Sequence, residues 1–441
     1  MITLFSRQRA SALALGIALA TGTATVATLV FPTEANAQRN RDRSEGGGYS
    51  AEFRSVYTPL EEVVKDESAD LTPYRAQFYQ LGGLMNTSDE QYAAGTMIFN
   101  AAIRMQDQQL QLLGMEGMLA SNKVPIEQIG RFNFIAYQLS SAAGDIGKAR
   151  TFLQNAINYN FTTDTISAPA LQITMAENYF SAGEFEQGFT FFDNAISMQK
   201  SRNQEVDERW YRRGLSVAYN NDLNDRVYDL AFQWLADYPN EFSWRETINI
   251  TRNLNEYETA EILDLLRLSR KVNVLEEEAD FEFYVEAADP RRLPLEVNEV
   301  IEEGMAAGVI SGSNLFIEEA LGIARDRIEE DRAELPALEA DALAPGAGLN
   351  LILAAADTFL SYGQYDKAIG FYEAALEQPD VNTDEENLRL GIAQVGVEDF
   401  DAARASFEKV GGNRATIARL WLAYVDQQTK VEAPSLSDLL G

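Results

Sequence analysis

The residues able to do chemistry in this chain are carboxylates, because histidine and cysteine are both absent. That absence removes a cysteine nucleophile, a histidine base, the serine–histidine–aspartate arrangement and any His/Cys metal site. The densest acidic run is Glu276, Glu277, Glu278, Asp280 and Glu282. An acid/base pair needs a fixed separation and divergent environments. Neighbouring acids on one helix point in different directions, so this run reads as a solvated face.

Asp380, Asn382 and Asp384 begin like a calcium loop, but Glu385 stands where the sharp turn needs glycine and Gly391 where a bidentate glutamate belongs. The stretch fits an acid-rich helix N-terminus better, with Thr383 as the expected cap. Pro345-Gly346-Ala347-Gly348 lacks the Lys and Ser/Thr of a phosphate loop. Met85, Met97, Met105, Met115 and Met118 read as core filling. No metal or cofactor is expected, and the chain reads as a non-enzyme.

The formal charge is 36 − 68 = −32 over 441 residues. Such a polyanion repels nucleic acid and anionic lipid, and suits basic partners. Arg7 and Arg9 precede an apolar run over 10–31, followed by Ala35-Asn36-Ala37. This reads as an export signal cleaved after Ala37, the alternative being an uncleaved anchor. Without cysteine, no lipid can be attached to an N-terminal cysteine. The expected location is therefore periplasmic or secreted, with no membrane span after cleavage.

Residues 38–57 read as a polar, Gly-rich lead-in. Beyond them apolar residues recur every three to four positions and proline is scarce, which predicts an all-α chain. Helical hairpins repeat at 129–157, 170–196, 349–376 and 386–410. In each, a small residue sits mid-face on the first helix and another near the start of the second. Ala176, Gly188 and Ala195 show this, as do Ala356, Ala368, Ala375 and Ala403. Small residues let antiparallel helices approach closely, and neighbouring aromatics fill the space beside them.

The pattern resembles the tetratricopeptide repeat family, whose unit is a helix-turn-helix of 34 residues. The resemblance covers 129–199 and 349–411, is looser over 208–271 and is weak over 280–306. It implies an α-solenoid over 58–328 and further repeats with a capping helix over 349–428. The acidic stretch 329–348, ending in Pro345, Gly346 and Gly348, reads as a charged helix end and a linker, and 429–441 as a loose tail. The region 276–345 holds 20 Asp/Glu against 5 Arg.

The resemblance also implies a concave groove lined by Tyr137, Ser140, Ile173, Glu177, Phe180, Asn350, Leu353, Asp357 and Leu360. One family version clamps a peptide carboxylate with Lys and Asn. Tyr137, Glu177 and Asp357 stand at the corresponding positions here, so the expected occupant is a basic or amide-rich segment of a cell-envelope protein. A second reading is a glycan-binding accessory of a polysaccharide or peptidoglycan machinery, with Tyr137, Tyr179, Phe180 and Tyr362 stacking on sugars.

Overall fold

The computed structural model describes residues 48–430, and among them all regular structure is helical. The export signal over 1–37 and residues 431–441 of the expected tail lie outside the described residues. The chain divides into two compact units at Val206/Asp207.

The first unit holds α1 (Ala51–Lys65), α2 (Arg75–Gly82), α3 (Ser88–Arg104), α4 (Gln108–Ala120), α5 (Ile126–Ala142), α6 (Ile146–Asn158), α7 (Ala168–Phe180) and α8 (Phe185–Lys200). The second holds α9 (Glu208–Asn220), α10 (Asn224–Asp237), α11 (Glu241–Leu254), α12 (Thr259–Lys271), α13 (Glu278–Ala288), α14 (Pro294–Ala306), α15 (Leu315–Ala342), α16 (Leu349–Ser361), α17 (Tyr365–Leu376), α18 (Thr383–Gly396), α19 (Phe400–Phe407) and α20 (Ala415–Thr429). Pairing is sequential: α3 with α4, α5 with α6, α7 with α8, α9 with α10, α16 with α17 and α18 with α19.

All six of these hairpins share one turn. Between α3 and α4, Gln106 is left-handed and the Asp107 N–H donates to the Ala102 carbonyl. In the other five a left-handed residue stands at Gly144, Gly183, Asp222, Gly363 and Glu398. The next residue donates its N–H to a carbonyl five positions back: Asp145 to Ser140, Glu184 to Tyr179, Leu223 to Ala218, Gln364 to Phe359 and Asp399 to Gln394. This is the glycine-type helix stop that satisfies orphan carbonyls. At Asp145 and Asp399 the same residue then caps the next helix, accepting from the Lys148 and Ala402 N–H groups.

The small residues close the hairpins. Ala176, Ala195, Ala356, Ala368, Ala375 and Ala403 are wholly buried. A Cβ on Gly188 would overlap the Phe180 ring and come within 3.2 Å of the Ala176 carbonyl. A third close pair was not legible in the sequence. In α3 and α4, a Cβ on Gly95 would lie 2.7 Å from the Gly114 carbonyl.

Three expected boundaries shift. The lead-in over 38–57 gives way to α1 at Ala51, whose Phe53 is buried between Tyr49 and Tyr57 among the core side chains. Most of the expected linker is helix: α15 runs on through Pro336 to Ala342, with Leu335 and Ala342 buried. The division falls at 206/207 rather than at 329–348, because the C-terminal helices belong to the second unit's core. In particular α20 packs against α18 and α19 and also against α10, α11 and α12. The second unit is therefore closed end to end, and its core joins Leu235, Trp244 and Leu268 to Phe359, Leu420 and Trp421.

Candidate functional site

Helix α12 opens with an apolar run that carries Asp264 and Arg267 three positions apart, on one face. Both are buried, and the same inward face of the second unit receives Glu296 from α14, Asp357 from α16, Arg389 from α18 and Arg414 from the turn before α20. The Arg267 guanidinium donates to both oxygens of Glu296 at 2.8 Å and to Asp264 at 3.1 Å. Tyr284 donates to the same Glu296 at 2.7 Å. Arg414 donates to the other oxygen of Asp264 at 3.0 Å, and Arg389 stands 3.5 Å from the oxygen that Arg267 holds.

Arg389 also donates to Asp357 at 3.1 Å and 3.2 Å, while Tyr372 donates to it at 2.8 Å and Arg292 at 3.2 Å. Glu385 forms ion pairs with Arg389 at 2.8 Å and with Arg414 at 3.2 Å. Burial pushes the Glu296 and Asp357 carboxyls up, but Arg267 and Arg389 outweigh it, and both are held below the usual carboxylate range. Glu386 differs. Burial dominates there, the Arg389 charge does not offset it, and the carboxyl is pushed up to about 8. Its Oε2 is buried with no hydrogen-bond partner.

Beside this network lies a half-open cavity of about 420 Å³ within the second unit. One wall is charged: Arg267, Arg270 and Lys271 of α12 face Glu296, Glu299 and Glu303 of α14. Arg270 is held by Glu303 at 2.6 Å and 2.9 Å and by Glu299 at 3.1 Å. The rest of the lining is largely apolar: Leu360, Tyr365, Ile392, Val395 and Trp421, with Ser361 and Gly363. Tyr365 is positioned by Gly396, where a Cβ would lie 2.5 Å from the ring. Its size suits a side chain or small ligand, and its lining combines apolar surface with a few placed charges.

The expected groove residues divide between the two units, Tyr137, Ser140, Ile173, Glu177 and Phe180 in the first and Asn350, Leu353, Asp357 and Leu360 in the second. Tyr137 and Phe180 are only 5% and 6% exposed. Phe180 packs edge-on against Phe189 beside Gly188, so it belongs to the hairpin core. Ser140 and Ile173 are buried too, whereas Asn350 is exposed and Glu177 and Leu353 are partly buried. Asp357 is occupied by Arg292, Tyr372 and Arg389 and offers no free carboxylate to a partner. Leu360 alone of that set lines the cavity.

The aromatic rings expected to stack on sugars are also engaged. Tyr179 carries Phe191 stacked at 5.4 Å and the Arg150 guanidinium at 4.0 Å. At the expected calcium-like stretch, Asn382 rather than Thr383 caps α18, and Asp384 accepts the Gly411 N–H. Among the described residues no acidic group is arranged to hold a metal. The acids of 276–286 do structural work: Glu278 and Glu282 both accept from the Asn314 amide.

Sequence reasoning missed Asp264, Arg267, Arg389 and Arg414. One signal was present. Arg389 sits between Leu388 and Leu390, and Arg267 between Leu266 and Leu268, inside runs otherwise made for a core. No family model matches this chain, and no curated protein matches it. No helix among the described residues is long and apolar enough to cross a membrane.

Proposed function

We propose that the chain is an exported, non-enzymatic binding scaffold, similar to tetratricopeptide repeat proteins, that holds a segment of a cell-envelope protein in the second unit's cavity. The carrying observation is the cavity itself. It is half open and lies among the inward faces of stacked helices, with one charged wall and a largely apolar remainder. Helical-hairpin proteins present such inner surfaces to extended partners. The buried acids support a binding role over catalysis, since Asp264, Glu296 and Asp357 are each tied to arginine in a fixed network.

In-cell photo-crosslinking tests this reading. A photoreactive phenylalanine analogue in place of Glu303 probes the cavity mouth, and one in place of the exposed Asp401 is the control. A discrete adduct from position 303 that is absent from position 401 is expected. No adduct at 303, or the same adducts from both, would defeat the reading.

A further inference from the structure

We propose that the cavity selects its partner segment by a lysine or arginine side chain, which docks on Glu299 and Glu303 with its stem against Tyr365. This rests on the cavity being the partner site. The lining carries three cations and three carboxylates, so the class is decided by which of them are already engaged; Lys271 lies over the Tyr424 ring at 5.9 Å. Arg267 is enclosed by Asp264 and Glu296, so its donors are committed. Arg270 spends its Nε and Nη2 donors on Glu299 and Glu303.

Those two glutamates are in a different position. Their side chains are 47% and 52% exposed, and each carboxylate can accept about four hydrogen bonds. They therefore retain acceptor capacity at the mouth after holding Arg270.

The wider field favours the same sign. Residues 207–430 carry 21 Lys/Arg against 45 Asp/Glu, and 21 − 45 = −24. An anionic group would approach against that field, and a cationic one with it. The same cavity is lined by Tyr365, Ile392 and Val395, with Tyr365 within electrostatic reach of Glu299. A long basic side chain matches both parts of the lining at once, burying its methylenes on apolar surface while its charge stays at the wet, carboxylate end.

The test is selection of a displayed library of random octapeptides on the mature chain, residues 38–441. Three variants run beside it: Glu299→Gln with Glu303→Gln, Glu303→Gln alone, and Asp401→Asn with Glu408→Gln. The last pair removes the same charge from exposed sites in and just after α19.

We expect Lys or Arg enriched about tenfold at one position, a preference of the size a single good ionic contact supplies. The enrichment should fall in Glu303→Gln, vanish in the double cavity variant and persist in the Asp401/Glu408 control. If Glu299→Gln with Glu303→Gln melts early, Glu303→Gln alone carries the comparison. Selected peptides without basic enrichment that still crosslink at position 303 would overturn the basic class and leave the cavity standing as the partner site. Equal loss of enrichment in the Asp401/Glu408 control would reduce the effect to bulk charge and overturn the proposal. No selected sequence, together with no adduct at position 303, would overturn the partner site itself.

Discussion

Arg414 holds the Asp264 carboxylate at 3.0 Å across 150 residues of sequence. The contact joins the turn before α20 to the middle of α12. Trp421 reinforces it by donating its indole N–H to the Asp264 carbonyl at 3.2 Å, and Trp244 donates to Gln427 at 3.1 Å.

Asp264 is fully buried with three guanidinium groups around it, so neutralising it leaves buried cations short of a counter-charge. Asp264→Asn should destabilise the second unit by about 3 to 5 kcal/mol. All four tryptophans, Trp210, Trp234, Trp244 and Trp421, lie in that unit. Urea unfolding followed by tryptophan emission therefore reads it directly, and an unchanged midpoint would contradict the network.

Glu386 makes stability depend on pH. Its folded carboxyl titrates at about 8, above the ordinary 4.5, chiefly because burial disfavours the charge. The folded state holds the proton more tightly than the unfolded one. The contribution is thus complete below pH 4.5 and is lost as pH rises through 8. Glu386→Gln should leave stability near pH 4.5 little changed and raise it above pH 8, by on the order of 1 to 3 kcal/mol. Thermal melts at pH 5, 7 and 9 check this; parallel pH profiles for both proteins would refute it.

Gly188→Ala forces a methyl group into the Phe180 ring, and Ala368→Leu adds bulk where no surface is exposed. Each should cost about 1 to 3 kcal/mol by overpacking. Far-ultraviolet circular dichroism melts measure the loss, and an unshifted Tm in either would show that the hairpin contact is looser than the geometry implies.

Asp357→Lys should unfold the second unit rather than merely alter its surface, since it replaces the shared carboxylate of Arg292, Arg389 and Tyr372 with a third cation. Asp357→Asn, which keeps an acceptor for Tyr372, should be milder. Comparing the two tryptophan-detected transitions tests this order, and equal midpoints would speak against it.

The hairpins were legible because their determinants are local. Gly144, Gly183 and Gly363 mark the turns, and alanines at helical spacing mark the contacts. Glu398 makes the same left-handed turn without a glycine, and the aspartate that follows supplies the next cap. The site was not legible for the opposite reason. A repeat register places Asp357 on an inward face, but what faces it there comes from Arg389, 32 residues on, and Arg292, 65 residues back. No local spacing encodes those partners. Phe180 misled in a simpler way: the register puts it on the groove side, while the missing Cβ of Gly188 leaves it a socket inside the hairpin.

The closure of the second unit also sets an order on how the chain can reach its final state. Stacked hairpins take shape from contacts between near neighbours and can grow from any point along the array. Here α10, α11 and α12 receive α20 only after some 150 to 190 intervening residues, as Arg414 to Asp264 and Lys430 to the Ala236 carbonyl mark out. Such distant pairings form slowly, because a long loop must be closed before they reward it. A chain made or delivered from its amino end would carry Asp264 without Arg414, and the cavity without Trp421, until its final helix arrived. The cavity thus gains its Trp421 wall, and Asp264 its Arg414 partner, only once the segment 414–421 is in place.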